Sequence, residues 1–324
     1  MDIFAPLQWL ADIISYDLFR LAQGSQLGSG VNFFLYDTLK IGLLLLAINY
    51  LMAIVRYYLP MEKLRDFLTS RNWYGFDYLL AAIFGVITPF CSCSSIPLFI
   101  GFLRAGIPLG VTTAFLITSP LVNEASLVIL PVLFGIRITI LYNLLGMAVG
   151  IVGGMIIQRL HLEKCVEPSL LTTKVALVKR ANRKKPVLRE LLVLWWREAW
   201  EIAHSIFPYV LLGVGLGAVI HGLIPVNFFE KYLSAKSWWA VPLATLMGVP
   251  LYANSVSVIP IVEALVAKGV SLGTALAFMT ATVTLSIPEA LILRKAMKPP
   301  LLLTFFGITT VGIMVIGFFF NVVH

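Results

Sequence analysis

The chain is expected to fold as an all-α polytopic membrane protein made of two inverted-topology repeats, each with three full spans and a broken, re-entrant helical hairpin. Three observations lead there: long apolar runs, an internal repeat, and a polar interruption that recurs in both halves. Of the 324 residues, 59% are hydrophobic and 12% charged, about half the charge of an average soluble domain, and the mean hydropathy is +0.93. Apolar runs cover 33–59, 78–102, 109–134, 136–157, 202–223, 238–266, 272–293 and 301–323. Each approaches or exceeds the ~20 residues that an α-helix needs to cross ~30 Å of hydrocarbon.

Residues 1–30 form the first element. Phe4, Leu7, Leu10, Ala11, Ile14, Leu18 and Leu21 recur at helical spacing, the pattern of an amphipathic helix in the membrane interface with Trp9 at headgroup level. The stretch 24–30 then reads as a flexible linker. Met1-Asp2 opens acidic, with no basic n-region, so no cleavable signal peptide is expected.

Residues 31–160 and 197–324 are two copies of one plan. Pro60, Phe67-Leu68-Thr69, Arg71 and Trp73 match Pro225, Tyr232-Leu233-Ser234, Lys236 and Trp238; Gly106, Leu109-Gly110 and Ala114-Phe115 match Gly269, Leu272-Gly273 and Ala277-Phe278. Glu124-Ala125 corresponds to Glu289-Ala290 after a small length adjustment. The joint, 161–196, carries Lys179-Arg180 and Arg183-Lys184-Lys185. Next to membrane spans this basic run marks a cytoplasmic loop and not a nucleic-acid site, which makes the cytoplasmic (inner) membrane the expected location.

Charge also sets the path of the chain. With 161–196 inside, Arg294, Lys295 and Lys298 put the turn before the last span inside too, so 238–266 must enter and leave from outside. Arg56, Lys63, Arg65, Arg71 and Arg104 place both ends of 78–102 inside. Both segments dip and return from opposite faces, and three crossings per half invert the second copy. Lys231, Lys236 and Lys268 on the outer face oppose this reading; the rival is eight full spans with parallel repeats.

The two dipping segments carry the chemistry. Within Thr88-Pro89-Phe90-Cys91-Ser92-Cys93-Ser94-Ser95-Ile96-Pro97, the element from Cys91 meets the second-half stretch Tyr252-Ala253-Asn254-Ser255-Val256-Ser257-Val258-Ile259-Pro260, with Cys91 on Asn254, Ser92 on Ser255, Ser94 on Ser257, Pro97 on Pro260 and Gly85 on Gly248. Prolines and hydroxyls interrupt a membrane helix, and interrupted segments at matching places in two halves point to a transporter's midplane site. Ser92, Ser94, Ser95, Asn254, Ser255 and Ser257 supply polar contacts there. Cys91 and Cys93 are candidate sulfur ligands for a soft metal ion or trivalent arsenic; the alternative is small apolar packing. Glu124, with Asn123 beside it, and Glu289 lie inside apolar runs, where a carboxylate marks an ion or proton path. They are the candidates for proton coupling; otherwise each caps a helix end.

Three cysteines exclude a disulfide framework. No phosphate-cradling glycine loop, nucleophile elbow or paired-histidine motif is present, so neither ATP hydrolysis nor proteolysis is expected, and no cofactor is implied.

Gly85–Pro97, Arg104–Gly110 and Thr118–Glu124, with Gly248–Ser255 in the second half, together resemble the YraQ/ArsP-type permease family. Some members of that family are organoarsenical efflux permeases and others are linked to copper or zinc efflux. The resemblance implies a transporter and no enzyme, working in the bilayer on a small molecule or ion. The expected activity is export of a thiophilic solute by a secondary permease. An oxyanion or small organic anion bound at helix N-termini is the alternative solute. A thiol oxidoreductase using Cys91 and Cys93 is a further reading, opposed by the lack of a nearby His or Lys to activate a thiol; a channel is another.

Overall fold

The computed structural model describes residues 5–22, 25–58, 75–87, 92–167, 188–223, 238–249, 255–267, 269–294 and 296–323. These residues are helical almost throughout, and extended pairing among them is confined to an isolated antiparallel bridge between Val166 and Met297. The chain is an all-α membrane protein. Among the described residues three helical stretches are long and apolar enough to span a bilayer: Leu27–Leu51, Ile136–Arg159 and Pro299–Val323. A bent pair, Leu109–Leu121 with Ser126–Phe134, makes a fourth if counted as one span.

At the N-terminus, α1 (Ala5–Asp12) runs into a π-helical turn, Ile13–Leu18. Gln8, Asp12 and Asn32 bind one another at 2.7–3.0 Å and fasten α1 to α2 (Gln26–Tyr58). α2 begins inside the stretch expected as a linker. The reason is Ser25, whose hydroxyl accepts the Gly28 amide at 3.0 Å and caps the first turn.

The first half continues with α3 (Phe76–Ile87), α4 (Ser92–Ala105), α5 (Leu109–Leu121), α6 (Glu124–Val128), α7 (Leu130–Phe134) and α8 (Ile136–Arg159). A 3₁₀ turn, Leu162–Cys165, opens the loop to the second half. There α9 (Leu188–Leu223), α10 (Ala240–Gly248), α11 (Ser255–Ala267), α12 (Leu272–Thr284), α13 (Ile287–Leu293) and α14 (Pro299–Val323) follow. Two apolar runs expected as continuous spans, 109–134 and 272–293, are therefore broken: the first bends by 62°, and the second stops at Leu285 and restarts from the Ser286 cap.

α3 and α4 fold back on each other. The rings of Phe84 and Phe102 stand 5.9 Å apart, and both touch Phe115 of α5 at 5.7 and 5.3 Å. In one straight helix those two residues would be ~27 Å apart. With 12 and 14 residues the arms reach only ~18 and ~21 Å, too short to cross ~30 Å of hydrocarbon. α10 and α11, at 9 and 13 residues, are as short.

From α4 onward, several helix starts recur at a separation of 163 residues. α4 and α11 start at Ser92 and Ser255, α5 and α12 at Leu109 and Leu272, α8 and α14 at Ile136 and Pro299. α4 and α11 end on Gly106 and Gly269, at φ +87° and +89°. Each glycine amide bonds back to Leu103 or Val266, and the next amide reaches Phe102 or Leu265. This αL cap needs glycine, because a Cβ disfavours that backbone.

Close backbone approaches repeat as well. A Cβ on Gly85 would lie 3.2 Å from the Phe115 carbonyl and 3.3 Å from the Ser119 nitrogen; on Gly248 it would lie 3.0 Å from both the Phe278 carbonyl and the Thr282 nitrogen. Gly110 packs on Gly154 and Gln158, and Gly273 on Gly317 and Asn321.

The longest helices pack in two head-to-tail pairs. Between α8 and α14, Tyr142 packs on Phe320, Val149 on Gly312 and Gly153 on Ile308. Between α2 and α9, Phe34 meets Gly215, Gly42 meets Phe207 and Tyr50 meets Trp196. In both pairs the numbers rise on one helix as they fall on the other, so the packing is antiparallel.

Candidate functional site

The site builds from two helix starts and two helix breaks. α4 starts at Ser92 and α11 at Ser255, where the sequence changes from apolar residues to serines that favour helix N-termini. α3 runs alongside α5 and α4 returns against it, so the end of α3 and the start of α4 both lie at the C-terminal end of α5. Ser95, on the first turn of α4, meets Ser119 of α5 with their hydroxyls 2.8 Å apart, both fully buried.

Beside that contact α5 stops. The Val122 amide still bonds to Thr118, but Val122 turns to φ −113°, ψ 82°. Asn123 makes the joint. Its Nδ2 donates to the Pro120 carbonyl at 3.2 Å, and its Oδ1 accepts the Ser126 amide at 3.0 Å. One side chain thus satisfies a carbonyl at the end of α5 and an amide at the start of α6. The Ser126 hydroxyl is shared between the Asn123 carbonyl and Asn143 Oδ1 of α8, at 2.8 and 2.9 Å.

The second half breaks in the same register. Leu285 leaves the helix at φ −116°, and Ser286 caps α13 by accepting the Glu289 amide at 3.4 Å. Ser286-x-x-Glu289 has the spacing of a capping box. Glu289 is 2% exposed. The Thr284 hydroxyl, fully buried one turn away, has no hydrogen-bond partner among the described residues.

The breaks correct one sequence expectation. Caps Asn123 and Ser286 are 163 apart, which puts Glu289 opposite Ser126 and Glu124 opposite Ile287. The two carboxylates are therefore not repeat-equivalent, because the N-cap hydrogen bond sets the register and places them at different positions of their first turns.

Each broken helix packs on the hairpin of the other half: α13 on α4, and α6 on α11. The helices α4, α6, α11 and α13 thus lie along one seam between the halves. A buried bond also joins the halves, the Tyr142 hydroxyl to the Thr280 hydroxyl at 2.8 Å.

Of the residues singled out in the sequence, Ser95, Asn123 and Glu289 have described side chains. Ser92, Cys93, Ser94, Glu124, Ser255 and Ser257 are described in backbone only, each in the first turns of its helix, while Cys91 and Asn254 lie outside the described residues. Among the described residues no three His, Cys, Asp or Glu side chains gather as a metal site. Sequence reading missed Ser119, Ser126, Asn143 and Ser286. Ser119 and Ser286 stood in the motifs that flank the two carboxylates; Asn143 had no signal, being a single amide in an apolar run.

A family model described as a predicted permease, ArsP_1, matches residues 26–322. The chain is 23% identical over 300 residues to UPF0718 protein MJ0584 of Methanocaldococcus jannaschii, covering 76% of this chain and 82% of that protein. It is 24% identical over 245 residues to UPF0718 protein YraQ of Escherichia coli, covering 75% of this chain and 67% of that one. No solved structure matches.

Proposed function

The chain belongs to the ArsP_1 family of predicted permeases, and from that premise we propose a secondary permease of two inverted repeats whose substrate site lies between the hairpin tips. The antiparallel packing of α8 on α14 and of α2 on α9 carries this reading. Equivalent spans run the same way when repeats are related by an axis along the membrane normal, and oppositely when the axis lies in the membrane plane. Val149 and Gly312 are 163 apart and touch, as expected where such an axis crosses. Gly42 and Phe207, 165 apart as in the Pro60–Pro225 match, also touch.

The bridge of Val166 to Met297 supports the orientation. It joins the start of the basic loop to the Arg294–Lys298 turn, so the two cation-rich segments share a face, and the positive-inside rule makes that face cytoplasmic. The site then sits at half-helix starts near the midplane, where backbone freed from helices lines a cavity. Cys91 and Cys93 hold a thiophilic solute, a trivalent organoarsenical or soft metal ion, for export. Ser92, Ser94, Ser95, Asn254, Ser255 and Ser257 complete the cavity. Glu124 and Glu289, with Asn123 positioning the first, exchange the coupling proton.

A second reading takes its support from the helix starts at Ser92 and Ser255, whose amide ends favour an anion: the solute is then an oxyanion or small organic anion. One experiment separates the two. Cells carrying the protein are assayed for resistance and efflux across trivalent arsenicals, copper, zinc and sulfur oxyanions, with Cys91→Ser/Cys93→Ser alongside. Loss of a thiophile phenotype in the double variant supports the first reading; oxyanion transport that survives it supports the second.

A further inference from the structure

The first long helix holds an ionisable pair that the site above does not use. Asp37 is 5% exposed and lies two residues from the middle of the apolar stretch Leu27–Leu51. The contact of Gly42 with Phe207 marks the midplane independently, and puts Asp37 ~8 Å from it. Lys40 stands one turn on from Asp37, with its ammonium 5.2 Å from the centroid of the Tyr36 ring.

A buried carboxylate within the hydrocarbon costs several kcal/mol, so a helix that only had to span would not carry one. Nor is Asp37 copied. The repeat places Ile202 opposite it and Ser205 opposite Lys40, so the folding plan shared by the halves does not require the pair. α2 also packs on α4, the helix that starts at Ser92.

By sequence, few titratable residues lie level with this stretch on the elements packed against α2. On α9 the opposing run from Pro208 to Gly215 holds Tyr209 as its one titratable residue. α1 and the π-helical turn bring Asp12, Tyr16 and Asp17, with Asp12 held by Asn32 and Gln8 toward the end of α2. α4 brings Arg104 in its last turn.

We propose that Asp37 is a second proton-binding site of the transport cycle, with Lys40 as its countercharge. One O–H bond forms on the carboxylate with a proton from water on one face, and breaks to return the proton to water on the other. Protonation leaves Lys40 the sole charge of the pair, so the local charge changes from neutral to positive and the packing of α2 on α4 and α9 is biased with it. The depth of Asp37 follows from the span midpoint alone; its coupling to transport rests on the permease reading above.

The test uses full-length protein in liposomes of phosphatidylethanolamine and phosphatidylglycerol, with no substrate added. A hydrophobic carbodiimide, which modifies protonated carboxyls in apolar surroundings, is applied at about pH 6 and about pH 9 and the adducts are mapped by mass spectrometry. An adduct on Asp37 that falls more than tenfold at the higher pH supports the proposal. In parallel, the charge displaced by a pH step on a supported membrane is expected to drop at least twofold in Asp37→Asn and to recover in Asp37→Glu. Absence of the Asp37 adduct overturns the proposal, as does an unchanged displacement in folded Asp37→Asn. Adducts on Glu124 and Glu289 are read separately, so either coupling assignment can fail alone; should Asp37→Asn not fold, labelling of the unsubstituted protein decides.

Discussion

Ser95 and Ser119 hold the first hairpin to the end of α5 through a buried contact of 2.8 Å. A buried hydrogen bond of this kind is worth about 1 kcal/mol net. Ser95→Ala and Ser119→Ala are each expected to lower the unfolding midpoint in detergent, and the double variant less than additively, because both remove one shared bond. Additive losses would separate the two serines. The second half has Val258 and Thr282 at these positions, so Val258→Ala is expected to leave a cavity and no broken polar contact. Asn123 and Ser286 differ in chemistry yet cap their helices alike, because either side chain offers the oxygen that an N-terminal amide needs. Sequence alignment pairs residue types; the hydrogen bond pairs positions. That is why Glu124 and Glu289 looked equivalent and are not.

α5 packs on α8, and α12 on α14, through glycines with no room for a side chain. A Cβ on Gly110 would stand 2.6 Å from the Gly154 carbonyl, and one on Gly273 would strike the Gly317 carbonyl. Backbone oxygens cannot rotate away, so Gly110→Ala and Gly273→Ala are expected to cost at least the ~1–3 kcal/mol of ordinary overpacking. Gly307→Ala, on the same α14 but with nothing within 4 Å, is the control and is expected not to lower the unfolding midpoint, since alanine is the better helix former. Buried threonines explain how such segments stay apolar in effect. Thr113, Thr118, Thr245, Thr280, Thr282 and Thr309 each donate to the carbonyl four residues back, which satisfies the hydroxyl within its own helix.

The two halves meet along two antiparallel seams, and the seams are testable without a substrate. Cysteine pairs at Phe34/Gly215 and at Gly42/Phe207 are both expected to cross-link with a short bifunctional thiol reagent in a background without native cysteines. Phe34 paired with Phe207 is expected not to, lying ~12 Å away along the antiparallel register. A parallel arrangement of α2 and α9 would cross-link one of the first two pairs and not both. The proposed topology predicts that cysteines placed at Lys179 and Lys298 react with an impermeant thiol reagent from the same side of the membrane; reaction from opposite sides overturns it.

The sequence by itself determined that the chain is a polytopic helical membrane protein, because burial in lipid writes its demands into composition and apolar length. It also singled out a candidate site region, since prolines, serines and cysteines inside an apolar run have few other uses. Asp37 and Lys40 were equally visible as letters, but near the start of an apolar run from 33 to 59 nothing local distinguishes a buried charge from one at the membrane edge. Only the tertiary structure decided the burial of Asp37, the contact of α3 with α4, the breaks at Asn123 and Ser286, and the antiparallel packing of α8 on α14 and of α2 on α9. These depend on which residues distant in sequence touch, and a local pattern of apolar and polar residues does not record its partner.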